Sequence, residues 1–302
     1  MLPRSITAPA DARVDIEAAR SLAVRAAESA GALIRADLAI GTDGGAGNGV
    51  DIRAKGDAGD LVTNLDIAAE RRIVKRIRGG FPDHRILTEE AGLLDAADDD
   101  WLWLVDPLDG TNNVAIGLHA YVVGIALCHH GVPVVGVVHD PIAGHTWSAV
   151  RGRGALGPTG PFTRTRRRPA GDPVIAWVQG YGVARRDETA RSIRLGLESG
   201  ARRVLQLWAP LLCWVMLARG DIDGFVGYRA GIVDLPAGAL IAREAGITIY
   251  DFDGSPFDDG VGRPEDDQHL DFVAGPPDTV SDLLVMVKAA GDPADGGSAG
   301  GQ

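Results

Sequence analysis

The most constraining feature of the chain is a run of five apolar residues that changes abruptly into a polar turn. The apolar part is Trp101–Val105, and the polar part, Asp106–Asn113, reads DPLDGTNN. Five consecutive apolar residues, two of them tryptophan, predict a buried strand. Pro107 fixes one backbone angle directly after that strand, and Gly110 allows a sharp bend. The chain therefore buries a strand and presents polar groups at its end.

The polar turn contains two carboxylates that are three residues apart. Asp106 and Asp109 follow the strand in a rigid turn, so both can face one point, and close carboxylates repel unless a cation lies between them. Thr111 is expected to cap a short helix, and the N–H groups of Gly110 and Thr111 suit a phosphate. Acids that hold a metal beside a phosphate site indicate metal-assisted phosphate ester hydrolysis. For the D-P-x-D segment alone, an ordinary Asp-Pro turn is an equal alternative.

The longer string resembles the signature of the inositol monophosphatase family, an apolar residue followed by D-P-[I/L]-D-G-[S/T]-x-N. Every position of Asp106–Asn113 matches this pattern, and Val114 stands where an aromatic residue is usual. The string is far more specific than the two aspartates alone, so it favours the metal-dependent interpretation.

Three other segments resemble the family's motifs and occur in the family's order. Asp60–Asp66 resembles D-[L/P]-V-T-x-x-D, and Glu89 is the first residue of the Glu-Glu pair. Asp234 stands where the family has the aspartate of W-D-x-A-A-G. Val233 replaces the tryptophan and Pro236 replaces a small residue, which an early helix position tolerates because it needs no N–H group. Without the resemblance, Asp66 would be a carboxylate favoured by a helix dipole, and Asp234 a helix cap.

The resemblance implies a magnesium centre with two or three ions. Glu89, Asp106 and the carbonyl oxygen of Leu108 would hold one Mg²⁺ ion. Asp106, Asp109 and Asp234 would hold a second ion, so Asp106 would bridge the two. Asp109 and Asp234 would also border the substrate.

The same resemblance implies the catalytic roles. Asp66 and Glu89 would support the nucleophilic water and a weaker third ion. Thr111 and Asp66 would help to deprotonate that water, which attacks phosphorus in line, while the N–H groups of Gly110 and Thr111 hold the phosphate. The implied activity is Mg²⁺-dependent hydrolysis of a small-molecule phosphate monoester.

Hydrophobic periodicity predicts a mixed α/β chain, formally α+β. Helices are expected over residues 14–38, from Thr63 or Asn64 to about Ile77, over Asp187–Glu198, over Leu211–Ala218, from Asp234 as cap to Gly246, and over 278–290. Strands are expected at 86–87, 101–105, 121–128, 132–138, 146–150, 174–178, 203–207, 224–228, 247–251 and 271–274, and Ala96–Asp100 is interpreted as an acidic loop.

The resemblance implies that these elements form a layered αβαβα sandwich of the inositol monophosphatase and fructose-1,6-bisphosphatase type, assembled as a homodimer. We divide the chain into an N-terminal α+β half with the metal site, residues 1–160, and a C-terminal α/β half that completes the site, residues 161–290. Residues 291–302 are rich in glycine, alanine and aspartate and are expected to be a disordered tail.

Composition limits the classes of partner and the cellular locations that fit this chain. A net charge of −11 over 302 residues disfavours a nucleic-acid binder, so the basic run Arg164–Arg168 is interpreted as a solvated linker. Cys128 and Cys213 are too few for a disulfide framework and are expected to be core residues of a reducing compartment. No apolar run is long enough for a transmembrane helix, and Met1–Asp15 lacks the apolar core of a signal peptide. The expected location is therefore cytoplasmic.

The substrate stays open at this stage. Inositol enzymes of the family usually have a glutamate seven residues before the last metal-binding aspartate, and Gly227 stands there in this chain. Histidinol phosphate, fructose 1,6-bisphosphate and 3′-phosphoadenosine 5′-phosphate are alternatives from the same family. A catalytically silent relative used for binding or regulation is the alternative of another class. The glycine-rich segment Gly41–Gly49 could close over the substrate.

Overall fold

The computed structural model describes residues 14–40, 50–55, 60–165, 171–262 and 269–291. Its helices are α1 (Ile16–Ile40), α2 (Asn64–Gly80), α3 (Thr111–Ala115), α4 (Glu188–Gly200), α5 (Pro210–Arg219), α6 (Pro236–Glu244) and α7 (Val280–Gly291). Its strands are β1 (Ile52–Lys55), β2 (Asp60–Thr63), β3 (His84–Thr88), β4 (Gly92–Leu94), β5 (Asp98–Asp109), β6 (Val122–His129), β7 (Val132–Asp140), β8 (His145–Val150), β9 (Ala155–Gly157), β10 (Gly160–Phe162), β11 (Val174–Gln179), β12 (Arg203–Leu205), β13 (Gly224–Gly231), β14 (Thr248–Tyr250) and β15 (His269–Gly275). Among the described residues, no helix combines the length and the apolar character needed to cross a bilayer.

These elements form five layers. An eight-stranded mixed sheet has the order β10-β9-β8-β7-β6-β5-β3-β4, and a five-stranded sheet has the order β12-β11-β13-β15-β14. Helices α1 and α2 cover the outer face of the large sheet, α5 and α6 pack between the sheets, and α4 and α7 cover the outer face of the small sheet. The predicted αβαβα sandwich is confirmed.

Both N-terminal helices follow from their sequences. Helix α1 buries alanines along one face, such as Ala19, Ala23 and Ala30, and these small side chains let it lie close to α2 and β7. Helix α2 begins after Thr63, whose hydroxyl accepts from the main-chain N–H groups of Leu65 and Asp66. The Asp66 carboxylate returns to accept from the Thr63 N–H group at 2.7 Å, which completes a capping box.

Strand β5 is the central element, and it is longer than the sequence predicts. Alternate residues pack on opposite faces: Trp103 lies against α1 and α2, and Leu104 lies in the core between the sheets. The expectation of a loop at Ala96–Asp100 is wrong for Asp98–Asp100, which form the first residues of β5. The main-chain groups there are hydrogen-bonded to Asp83, to the Arg85 side chain and to His130. The side chains of Asp99 and Asp100 stay exposed, so their charge does not prevent the strand.

The remaining predictions are mostly confirmed. Strands β6, β7 and β8 lie where strands are predicted and form an antiparallel meander, and Cys128 and Cys213 are free and buried in the core. Arg164 is not solvated, because its guanidinium group pairs with the buried Asp223 carboxylate at 3.3 Å. The rest of that basic run from residue 166, the segment Gly41–Gly49 and the tail after Gly291 lie outside the described residues. The division of the chain at residue 160 stays a prediction.

Candidate metal centre

The register of two parallel strands places the first two acids side by side. Strand β3 pairs with β5 in parallel, and Thr88 lies opposite Val105. The Glu89 N–H group continues this ladder by donating to the Val105 carbonyl oxygen at 3.2 Å. Glu89 and Asp106 therefore emerge together at the carboxyl ends of the two strands, the usual place for a ligand site in such a sheet.

A bulge in β5 sets the direction of the next acid. Asp106 lies opposite Gly124 of β6, but Asp109 lies opposite Val122, so three steps on β5 match two steps on β6. Residues three apart on a regular strand point to opposite faces. The extra residue shifts this alternation, so that both aspartates can serve one site. The sequence predicts the turn but not the bulge.

Both aspartates are held by main-chain N–H groups. Asp106 Oδ1 accepts from the Leu108 N–H group at 3.0 Å. Asp109 Oδ2 accepts from the N–H groups of Leu211 and Leu212 at 2.8 and 3.3 Å. These two donors lie in the first turn of α5, where N–H groups have no partner in their own helix. Asp109 thereby joins the large sheet to the helix layer behind it.

Thr111 does not cap α3 as predicted, because the cap residue is Gly110 with φ +103° and without a side chain to cap with. A Cβ atom on residue 110 would lie 2.7 Å from the Ala120 carbonyl oxygen, so only glycine fits there. The Thr111 hydroxyl instead lies 2.7 Å from Asp66 Oδ1 and 3.0 Å from the Leu108 carbonyl oxygen. The structure thus connects Asp66 of α2 with the turn after β5.

Asp234 also differs from its predicted role as a helix cap. The cap residue of α6 is Leu235, and Asp234 precedes it. Its carboxylate lies within electrostatic range of Glu89, Asp106 and Asp109, because its charge raises the pKa of each of them. The predicted stop at Gly246 is confirmed by a left-handed backbone with φ +98°.

The electrostatics of the cluster are those of buried carboxylates that repel one another. Burial raises the pKa of Asp106 and of Asp109 well above the usual range, and the neighbouring carboxylates raise both further. Burial, followed by the charge of Asp60, raises the pKa of Asp234 to about 6. Burial, together with Asp234, raises the pKa of Glu89 to about 8, although Lys55 opposes this rise. Burial raises the pKa of Asp66, and hydrogen bonds from Thr63 and Thr111 oppose that rise.

Lys55 and Asp60 also contribute charge to the site, although the sequence analysis did not include them among the candidate site residues. Lys55 Nζ lies 3.1 Å from Glu89 Oε1 and 3.0 Å from Glu90 Oε1. Burial disfavours its charge, but these two carboxylates outweigh burial and raise the pKa of Lys55. Asp60 lies close enough to raise the pKa of Asp234. Asp60 opens the D-L-V-T segment and could have been considered, whereas nothing in the sequence distinguishes Lys55.

The donor set fits magnesium, which prefers hard oxygen ligands and relieves repulsion among carboxylates. As the side chains stand, no three Asp, Glu, His or Cys residues in the described ranges converge at metal-binding distance. Glu89 is turned toward Lys55, and one oxygen of Asp109 is bound to α5. A cation that binds here therefore competes with the Lys55 ammonium group for Glu89.

The sequence of the chain is similar to those of several known proteins. The sequence model of the inositol monophosphatase family matches residues 15–271. A Nus factor SuhB of Pasteurella multocida is 35% identical over 195 residues, 65% of this chain and 73% of the relative. A fructose-1,6-bisphosphatase/inositol-1-monophosphatase of Thermotoga maritima is 34% identical over 195 residues, again 65% of this chain and 73% of the relative.

A solved structure gives the same result at the level of the fold. The extragenic suppressor protein suhB of Bartonella henselae superposes with a TM-score of 0.76 and 27% identity, covering 90% of this chain and 98% of that one. Because the family match spans nearly the whole described chain and the fold agrees, the chain belongs to the inositol monophosphatase family.

Proposed function

We propose that this protein is a Mg²⁺-dependent phosphatase of small-molecule phosphate monoesters. The observation that carries the proposal is the group of mutually repelling carboxylates at the carboxyl ends of β3 and β5, each with a raised pKa. Strongly perturbed acids grouped in this way are typical of functional sites. The family membership supplies the class of reaction.

The ligand assignment follows the positions described above. Glu89, Asp106 and the Leu108 carbonyl oxygen would hold one Mg²⁺ ion. Asp106, Asp109 and Asp234 would hold a second, and Asp66 with Glu89 would support a weaker third. Bound Mg²⁺ supplies Lewis-acid stabilisation of the negative charge that develops on the phosphate oxygens.

Asp66 and Thr111 would remove the proton of the attacking water. Asp66 is buried and its carboxylate accepts a hydrogen bond from the Thr111 hydroxyl. A water molecule beside Thr111 can pass its proton to this hydroxyl as the hydroxyl proton moves to Asp66 Oδ1, so Asp66 acts as the base. The N–H groups of Gly110 and Thr111, at the start of α3, would hold the phosphate. No covalent phosphoenzyme is needed.

The proposal also includes other phosphate esters that the family hydrolyses. Histidinol phosphate, fructose 1,6-bisphosphate and 3′-phosphoadenosine 5′-phosphate are the alternatives to inositol phosphates. The second candidate function is a silent regulatory role, favoured by relatives that carry the name Nus factor SuhB. The retained acids argue for catalysis. The proposed state is a homodimer in the cytoplasm that binds neither nucleic acid nor membrane.

The test is phosphate release from these esters, in Mg²⁺ and in EDTA, by wild type and two variants. Asp106→Asn and Asp234→Asn should each lose at least about a thousandfold in rate with the fold intact, since each removes a charged ligand. Asp282→Asn, an exposed acid on α7, is the matched control. Wild-type activity in either site variant would contradict the metal assignment. No release from any ester by folded, Mg²⁺-bound wild type would favour the silent role.

A further inference from the structure

Two exposed aromatic residues lie in segments that are hydrogen-bonded to the central motif of the candidate metal centre. Tyr181 is 47% exposed and Trp208 is 48% exposed, whereas the other five tryptophans of the chain are buried. Asn112 bonds Tyr181, and Asn113 bonds Leu207, the residue before Trp208. We call Tyr181 and Trp208 the aromatic rim.

Tyr181 is held over the acid cluster by its hydroxyl group. The Asn112 side-chain amide donates to the Tyr181 hydroxyl oxygen at 2.9 Å. The same hydroxyl bonds the Asp60 carboxylate, and the charges of Asp109 and Asp234 reach it as well. The ring is therefore fixed at its polar end beside the acids, and almost half of its surface faces solvent.

Trp208 is fixed through the main chain on both sides. The Asn113 side-chain amide donates to the carbonyl oxygen of the preceding residue, Leu207. Three residues after Trp208, the Leu211 N–H group donates to Asp109. Between these anchors Trp208 has φ +48°, a left-handed backbone that is rare for a bulky residue. Such strain persists where the surroundings impose it, and it is common at ligand sites.

Among the described residues, neither the start of α5 nor position 227 offers a free polar group that could recognise a polyol. Helix α5 begins with Pro210, which has no N–H group, and the next two N–H groups are taken by Asp109. Position 227, where an acid could contact ring hydroxyls, is Gly227. A Cβ atom there would overlap the fully buried Phe272 ring, so residue 227 cannot extend a side chain without displacing the core.

We propose that the preferred substrate is a phosphate monoester whose alcohol part carries a flat heteroaromatic ring, and that this ring stacks on the Trp208 indole beside Tyr181. An exposed indole offers a large flat face to such a ring. The proposal rests on the phosphatase function proposed above. It makes Trp208 a specificity residue that touches the leaving group and takes no part in the proton transfer.

The first test compares esters with and without a flat ring. Adenosine 5′-monophosphate carries adenine where ribose 5-phosphate carries its anomeric hydroxyl group, and histidinol phosphate and inositol 1-phosphate extend the comparison. An ester with a flat heteroaromatic ring should have the highest kcat/KM. Trp208→Ala should lower that value about tenfold, chiefly through KM, because stacking binds ground state and transition state alike. Trp208→Phe should recover most of the loss.

Two further variants control for folding. Trp208→Gly removes the ring and also the left-handed strain, so its Tm should equal or exceed that of wild type while its preference for ring-bearing esters is lost. Leu195→Ala, an exposed apolar residue of α4, should leave both the preference and KM unchanged. The proposal would be overturned if an ester without a flat heteroaromatic ring were the best substrate, or if Trp208→Ala left KM unchanged.

A binding measurement separates this proposal from the proposed function. If wild type releases no phosphate from any ester, catalysis fails but stacking can still be measured. Adenosine 5′-monophosphate and histidinol phosphate are titrated in Mg²⁺ into wild type and Trp208→Phe while tryptophan fluorescence is recorded. Saturable quenching by either ester in wild type that is absent in Trp208→Phe supports stacking. Equal quenching in both, or none in either, overturns it.

Discussion

Replacing Thr111 by valine removes one hydroxyl group and keeps a side chain of nearly the same shape. That hydroxyl lies 2.7 Å from Asp66 Oδ1, and the Asp66 side chain is fully buried. A hydrogen bond to a buried charged group contributes about 2 kcal/mol to the free energy of unfolding. With an unfolding entropy of roughly 2.1 cal/mol/K per residue, this loss lowers Tm by about 3 °C for a chain of this length.

The effect on activity should be larger than the effect on stability. Without the hydroxyl, Asp66 loses one group that stabilises its carboxylate, so its pKa rises further. Asp66 must be deprotonated to accept the proton, and the acidic limb of the pH–rate profile should therefore move to higher pH. At the optimum, loss of the proton path should lower kcat by about 10²–10⁴-fold.

Two measurements on wild type, Thr111→Val and Thr111→Ser test the proton path. Thermal denaturation in EDTA gives Tm, and phosphate release in Mg²⁺ between pH 5 and 9 gives the rate profile. Thr111→Ser keeps the hydroxyl and is the matched control, expected to retain most of the rate and the position of the acidic limb. If Thr111→Val kept the wild-type kcat and acidic limb, the proposed proton path through Thr111 and Asp66 would be refuted.

Three further predictions concern charge and packing around the site. Lys55→Met should destabilise the metal-free protein by about 1 kcal/mol, because the ion pair with Glu89 is partly exposed. The Mg²⁺ concentration for half-maximal thermal stabilisation should fall in this variant, since the ammonium group no longer competes for Glu89; a rise would contradict that competition. The pKa of Asp234 is about 6 instead of 3.8, and that of Glu89 is about 8 instead of 4.5, so above pH 4 the folded state binds more protons than the unfolded state. Stability of the metal-free protein should therefore decrease as pH rises from 4 to 8, and saturating Mg²⁺ should weaken this decrease, which thermal melts at each pH would show. Gly227→Ala should destabilise the protein by about 1–3 kcal/mol in urea denaturation because its methyl group overlaps a buried phenylalanine ring. Gly182→Ala, where a Cβ atom meets nothing within 4 Å, is the control and should change stability little.

Much of the fold could be predicted because its signals are local. The alanine face of α1, the capping box at Thr63 and the apolar run before Asp106 each lie within a few residues. Local patterns of this kind determine helix starts and buried strands directly. Errors arose where a local rule met a longer-range interaction, as at Thr111 and at Asp98. The Thr111 hydroxyl bonds Asp66 in place of its own helix, and strand pairing extends β5 back to Asp98.

Several site residues could not be found in this way. Lys55 is an ordinary lysine on a short strand, and Tyr181 and Trp208 lie in connections without a motif. Each acquires its role from a contact with residues far away in sequence, such as Asn112 for Tyr181. No pattern within a single segment contains that information.

The order of residues along the chain specifies the chemical groups of the candidate site: which acids the chain carries, in what order, and on which ends of helices and strands. The arrangement of these acids in space follows from contacts between distant segments. The parallel register of β3 and β5 places Glu89 beside Asp106, and the bulge lets Asp106 and Asp109 face the same site. Packing of α5 under the large sheet then holds Asp109. Residue types and local periodicity are written along the chain, whereas register, bulges and layer packing come from interactions between distant segments.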